Sequence, residues 1–216
     1  MMKLAAGYRR FRSEVFPREK ETFKKLAKSQ KPHTLFLTCS DSRVVPSMIT
    51  QTEPGELFIS RMVGNLVPTY GAAFGGVSSA IEYSVVVLGV ERVVVCGHSD
   101  CGAMRAFLHP EKLADLKAVR AWLDHASAAI TVTREQHSHL EGEEFLRALA
   151  QENVISQLQH LRTHPCVASG LRKGTLVIDG WYYDIGEGLV TRYDESSRGF
   201  LPLDQYTKEH AEAVTV

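Results

Sequence analysis

Cysteine is scarce in this chain: Cys39, Cys96, Cys101 and Cys166 are the only four among 216 residues. They are too few and too scattered to form a disulfide scaffold at this length, and they point to a reducing compartment. An excess of either charge is also missing. Lys and Arg number 25, Asp and Glu number 25, and the formal net charge is zero. That balance provides no general field to draw in nucleic acid or anionic lipid. The one basic run, residues 24–31 with four lysines, alternates with Leu26 and Ala27 and reads as a solvated helix face. Long hydrophobic runs are absent too. The longest, 85–90 and 93–96, fall well short of the roughly 20 residues that cross a bilayer. The opening MMKLAAGYRRFRSEVF lacks the apolar core of about 7–15 residues that marks a secretory signal. These absences predict a cytoplasmic protein with neither a nucleic-acid nor a membrane partner.

Enough apolar sequence is present to build a core, with 44% hydrophobic residues against 23% charged. At about 100–200 residues per domain, a single domain spanning 1–216 is expected. Leu4, Tyr8, Phe11 and Val15 recur at helical spacing, and a second helix is expected to about Gln30. Together, residues 1–30 read as a helical arm with an apolar side and no core of its own. Short apolar runs at 34–38, 56–60 and 92–97 predict buried strands, and 75–89 predicts a helix packed on them. Helical patterns follow near 103–108, 111–130 and 143–163. Residues 174–184 and 188–194 return to strand as a hairpin or edge. Strands alternating with helices predict an α/β fold, a mostly parallel sheet flanked by helices. The tail from about 205 has little left to bury.

Two of the strands end in reactive side chains. LTCSDSR places Cys39, Asp41 and Arg43 after the first strand; RVVVCGHSDCG places His98 and Cys101 after another. In an open α/β sheet, ligands bind in the crevice beyond the carboxyl ends of neighbouring strands. If these two strands are neighbours, two thiolates and an imidazole converge there, a donor set suited to zinc. His-x-x-Cys puts both ligands on one turn at a helix start, where the helix dipole favours the thiolate. Three ligands leave a fourth position open, as in catalytic zinc; a closed structural site would need Asp41 as the fourth. Taken singly, a cysteine after a strand is an ordinary buried thiol. A phosphatase loop needs more residues between Cys39 and Arg43, and a redox pair of Cys39 and Cys101 leaves His98 without a role.

The paired motifs CSDSR and HSDCG resemble those of the β-class carbonic anhydrases. EPGELF, GNLVPTYG, GGVSSAIEY, ENVISQL and GWYYDI extend the resemblance over nearly the whole chain. Within that class the chain is most similar to the bacterial subfamily associated with cyanate degradation. The resemblance implies reversible hydration of carbon dioxide to bicarbonate and a proton. It also implies one Zn2+ per subunit on Cys39, His98 and Cys101, with Asp41 able to reach the metal. Asp41 and Arg43 match the family's catalytic pair, and Gln30, Phe58, Tyr83 and Gly102 match positions lining the substrate cleft. Without the resemblance, the first three of these read as a helix-end amide and two core aromatics. A homodimer or higher even-numbered homo-oligomer is implied as well. Met62 stands where the family usually has Asn. Phe36 stands where some members keep a tryptophan of a bicarbonate site, whose other positions match Arg61 and Tyr183; an open site with Asp41 on Arg43 is therefore expected near neutral pH. Two alternatives stay open on the motifs alone: a carbon disulfide or carbonyl sulfide hydrolase on the same scaffold, and a non-catalytic zinc-binding scaffold protein.

Overall fold

The computed structural model describes residues 2–72 and 74–205. Six strands form one sheet in the order β2-β1-β3-β4-β5-β6: β1 Thr34–Cys39, β2 Leu57–Met62, β3 Arg92–His98, β4 Val177–Asp184, β5 Leu189–Asp194 and β6 Gly199–Pro202. The first four are parallel; β5 pairs antiparallel with β4 on one side and with β6 on the other. The mostly parallel α/β sheet is as expected.

All six residues of β1 are buried, and in β3 all but Arg92. Central parallel strands are covered on both faces and so read as continuous apolar runs. Leu35, Leu37, Val93 and Val95 join Ile81, Val154, Leu161 and Val167 in one cluster. These partners come from the helices α4 (Gly76–Glu82), α8 (Gly142–Arg162) and α9 (Pro165–Lys173). Phe36, Val94 and Cys96 form a cluster with Leu57, Trp181 and Tyr183, all of them sheet residues. Helix α8 buries Leu146, Leu149, Ala150, Asn153, Val154, Gln157, Leu158 and Leu161, the three-and-four spacing of a stripe facing a sheet. It comes close because of two glycines. A Cβ at Gly97 or Gly180 would stand 2.7 or 2.8 Å from Val154. Larger residues at either position would push α8 off the strands that carry His98.

The arm is α1 (Met2–Arg10), a π-helical turn at Phe11–Val15, and α2 (Lys20–Leu26). α2 therefore stops short of Gln30. Phe11, Phe16 and Phe23 pack on one another at 5.6–6.0 Å between ring centroids. No residue of α1 or α2 is buried, so the arm has no core in its own subunit. The helix expected over 111–130 is broken. A 3-10 turn at Pro110–Leu113 precedes α6 (Lys117–Leu123), and a second turn at Asp124–Ala126 leads into α7 (Ser127–Gln136). Three elements were not anticipated: α3 (Pro46–Thr50), α9 and β6. The expected tail lies mainly at 206–216, outside the described residues.

Candidate metal centre

Parallel pairing of β1 with β3 sets Thr38 against Cys96, so Cys39 and His98 leave the same carboxyl edge as neighbours. Three residues after His98, Cys101 occupies the N-cap position of α5 (Gly102–Ala106). The Cys39 and Cys101 sulfurs and a His98 ring nitrogen all lie within 4.8 Å of one another, and all three residues are buried. The crevice anticipated beyond the strand ends therefore exists, and it gathers the expected ligands.

The histidine is already oriented. His98 Nδ1 lies 2.8 Å from the Ser99 carbonyl oxygen. A carbonyl only accepts, so Nδ1 carries the proton and Nε2 keeps its lone pair. Nε2 is buried and has no hydrogen-bond partner among the described residues. An unpaired nitrogen at zero exposure costs free energy unless something fills the space before it. A metal ion held with the two sulfurs would do so, and fixing the tautomer through the other ring nitrogen is usual for a metal-binding histidine.

The thiols behave as a pair. A hydrogen bond from Cys101, with the backbone N–H groups of Asp41 and Gly64 adding to it, holds the Cys39 pKa down at about 4. Cys101 is pushed well above the ordinary thiol value by that same bond and by burial. A divalent ion held between the two sulfurs would favour the thiolate form of both. Cys96, inside β3, is different: burial pushes it to about 12, and it stays a neutral core thiol.

The turn after β2 holds Cys39 from the other side. Gly64 N–H donates to Cys39 Sγ at 3.4 Å. Gly64 has φ +71, and a Cβ there would stand 3.0 Å from that of Ala103, so both conformation and space require glycine. Asn153 Nδ2 donates to the Gly64 carbonyl at 3.0 Å, and Gln157 accepts from Val67 N–H at 2.8 Å. Two fully buried amides on α8 thus hold the turn that faces the sulfur. Sequence reasoning missed them; polar residues on the apolar stripe of α8 were the available signal.

Asp41 sits at the rim with its Oδ2 3.9 Å from His98 Nε2. Arg43 grips it with a two-pronged fork, Nε to Oδ1 at 3.0 Å and Nη2 to Oδ2 at 2.8 Å. The Arg43 backbone N–H adds a third bond to Oδ1 at 2.9 Å. These bonds hold the carboxyl well below the usual carboxylate range, so it is ionised at any working pH. Arg61, which the sequence suggested for a bicarbonate site, donates to the carbonyls of Cys39 (3.1 Å) and Asp41 (2.5 Å). Phe36 is buried edge-on to Trp181, 5.8 Å between centroids. Met62 is buried in the apolar cluster with Leu35 and Leu37.

Gly102 lines a cavity of about 310 Å³ with Val63, Ala103, Arg105 and His109, next to Cys101. The other lining candidates are elsewhere. Phe58 and Tyr83 do meet, 5.9 Å between centroids. However, Phe58 pairs with Leu35, four positions before the Cys39–Met62 pair. At about 3.3 Å per residue that is roughly 13 Å down the sheet from the ligands. Gln30 is exposed in the segment leading into the opposite end of β1. Within one subunit these three residues lie away from the thiols.

The sequence model of the carbonic anhydrase family matches residues 34–190, from the start of β1 into β5. The chain belongs to the β-class carbonic anhydrases. It is 48% identical to the carbonic anhydrase of Pseudomonas aeruginosa over 98% of this chain and 96% of that one. It is 44% identical to carbonic anhydrase 1 of Escherichia coli O157:H7 over 94% and 92%. Its fold superposes on the β-carbonic anhydrase CcaA with a TM-score of 0.91 at 42% identity, covering 94% and 91% of the two chains. A chain from the crystal structures of two tetrameric β-carbonic anhydrases of Sordaria macrospora matches with a TM-score of 0.73 at 28% identity, over 88% of this chain and 91% of that one. The enzyme is a lyase that interconverts carbon dioxide and bicarbonate, and neither alternative left open by the motifs is favoured.

Proposed function

We propose that Cys39, His98 and Cys101 hold one zinc ion per subunit, and that Asp41 and Arg43 orient the attacking oxygen in carbon dioxide hydration. The observation that carries this reading is the His98 ring, with Nδ1 tied to a carbonyl and Nε2 buried, unpartnered and beside two thiols. Two sulfurs and one imidazole match the donors zinc prefers. When bound, zinc supplies the Lewis acidity that makes a water lose its proton near neutral pH, the behaviour for which carbonic anhydrases are the standard example.

Asp41 Oδ1 already accepts two bonds and Oδ2 one. A carboxylate has about four acceptor positions, so the one left over is on Oδ2, the oxygen nearer His98. Oδ2 accepts a hydrogen bond from the attacking oxygen and aims its lone pair at the substrate. Arg43 keeps Asp41 ionised and turned away from the ligand set, so the carboxylate does not become a fourth ligand.

Gln30, Phe58 and Tyr83 act on substrate through a second copy of the chain. The unburied arm, the exposed Tyr83, and Val86 and Val87 at 64% exposure support an even-numbered homo-oligomer. The Sordaria relatives are tetrameric. Four free thiols and no long apolar helix among the described residues support a cytoplasmic location. Membership of the cyanate-associated subfamily rests on sequence resemblance alone. Stopped-flow hydration of carbon dioxide across pH, with bound zinc measured on the same sample, tests the reading. About one zinc per subunit with rapid hydration is expected. A zinc-loaded protein without hydration activity would overturn it.

A further inference from the structure

Arg43 has more partners than Asp41. Its Nη1 donates to Asp100 Oδ2 at 3.0 Å, and its Nη2 also donates to the Asp100 carbonyl at 3.1 Å. Asp100 is itself gripped from the far side. Arg105 Nε and Nη2 both reach Asp100 Oδ1, at 3.1 and 2.5 Å. Arg105 Nη2 is tied in turn to Glu143 Oε1 at 2.8 Å. A chain of alternating charges thus runs from Asp41 through Arg43, Asp100 and Arg105 to Glu143 on α8.

The backbone at Asp100 takes part in this arrangement. Its φ is +51, in the left-handed region that non-glycine residues rarely occupy. That turn lets the carbonyl and the carboxylate of one residue meet two nitrogens of the same guanidinium. The side chains of Arg43, Asp100 and Arg105 are 44%, 49% and 39% exposed. Ion pairs so exposed add little to stability. Their effect is geometric: with Nε, Nη1 and Nη2 all engaged, Arg43 has no other rotamer that keeps its partners.

We infer that Asp100, pinned by Arg105, is a positioning residue that locks Arg43 in the orientation offering its fork to Asp41. This rests on the proposed roles of Asp41 and Arg43. Without Asp100 the guanidinium is free to leave, and Asp41 is then free to turn toward the ligand set. Asp100 does not touch substrate. It sets how often the pair is ready.

The test is Asp100→Gly, because glycine suits φ +51 and so removes the side chain without straining the turn. Arg105→Gln, which loosens Asp100 without touching that turn, is the second variant should the first fail to fold. Each is prepared zinc-loaded, assayed for carbon dioxide hydration, and crystallised to locate Arg43 and Asp41. We expect kcat/KM to fall about tenfold, with zinc content unchanged and the Arg43–Asp41 fork broken in the crystal. Asp100→Asn, which keeps an acceptor oxygen and tolerates the turn, is expected to restore most of the loss. A kcat/KM within twofold of the parent for both variants would overturn the inference, and so would a fall in activity with the fork intact. If the parent shows no hydration at all, the functional reading fails, and the crystals still decide whether Asp100 positions Arg43.

Discussion

The two walls of the site are built in opposite ways. On one side, Cys39 receives a backbone N–H from Gly64, and the Gly64 turn is held by Asn153 and Gln157, neutral groups at zero exposure. On the other side, Asp41 is held by Arg43, and Arg43 by Asp100, charged groups of which the last two are nearly half exposed. Buried neutral hydrogen bonds are costly to break and insensitive to salt; exposed ion pairs are cheap to rearrange and screened. The metal side is therefore part of the fold, whereas the carboxylate side can be rearranged without unfolding anything. An enzyme that must keep its ion while letting a carboxylate work beside it benefits from that division.

The largest effect expected is on the metal wall itself. Cys101→Ser removes one of the two sulfurs that face His98 and leaves a hydroxyl, a far poorer zinc ligand than a thiolate. Bound zinc is expected to fall below a tenth of the parent level, with hydration lost. Because metal binds the folded state, zinc at 100 times its Kd stabilises the parent by about 2.7 kcal/mol. The variant is expected to show no zinc-dependent rise in melting temperature. Full zinc loading of Cys101→Ser, measured by elemental analysis, would refute the ligand assignment and make the two walls indistinguishable.

How the sequence announces each wall also differs. Cys39, His98 and Cys101 were legible because β1 and β3 are buried on both faces and so read as unbroken apolar runs, whose ends stand out. The Asp41–Arg43 pair was legible from its position beside them. Asp100 was not: a residue between His98 and Cys101 looks like part of a turn until its backbone is seen to be left-handed. Gln30, Phe58 and Tyr83 were named as cleft residues, yet a linear pattern cannot reveal that they lie toward the other end of β1. Strand β6 was missed because its four residues, GFLP, are too short to show a period. Helix α9 was missed despite Pro165 in its first turn and a left-handed Gly174 at its end, the usual start and stop signals. Helix α2 ends at Leu26, whose side chain packs against Gly55, and not near Gln30 as the sequence suggested.

Of the neutral wall's supports, Asn153 is the one to remove. It donates to the Gly64 carbonyl and accepts from Gln157 Nε2, both at 3.0 Å. Asn153→Ala leaves the buried Gly64 carbonyl without that donor, at about 1–3 kcal/mol, while Gln157 Nε2 keeps its bond to the His125 carbonyl at 3.2 Å. A stability loss of about 1–3 kcal/mol is expected from denaturant midpoints. Zinc affinity should weaken with it, because the Gly64 turn faces Cys39. High salt should leave that loss unchanged, in contrast to any change made in the charged wall. A stability loss that salt largely abolishes would break the distinction between the walls.

The smallest effect concerns the residue next to Asn153 on the same helix. Glu152 faces a cleft bordered by Gln136, Ile155, Arg198 and Phe200. Burial alone raises its pKa, so the folded state holds its proton more tightly than the unfolded state does. Well above the raised value the carboxylate is ionised in both states, and folding bears the desolvation cost. Below the unfolded value it is protonated in both, and that cost vanishes. Glu152→Gln, neutral at every pH, should therefore be slightly more stable than the parent at pH 7, by up to about 0.5 kcal/mol, the range of changes outside the core. The advantage should shrink as pH falls through the carboxylate range, because the parent's folded state then takes up its proton. Melting curves of the two proteins between pH 7 and pH 4 read this directly. A gap that widens on acidification would mean that Glu152 is stabilised by a cation, and that α8 carries a charged contact as well as neutral ones.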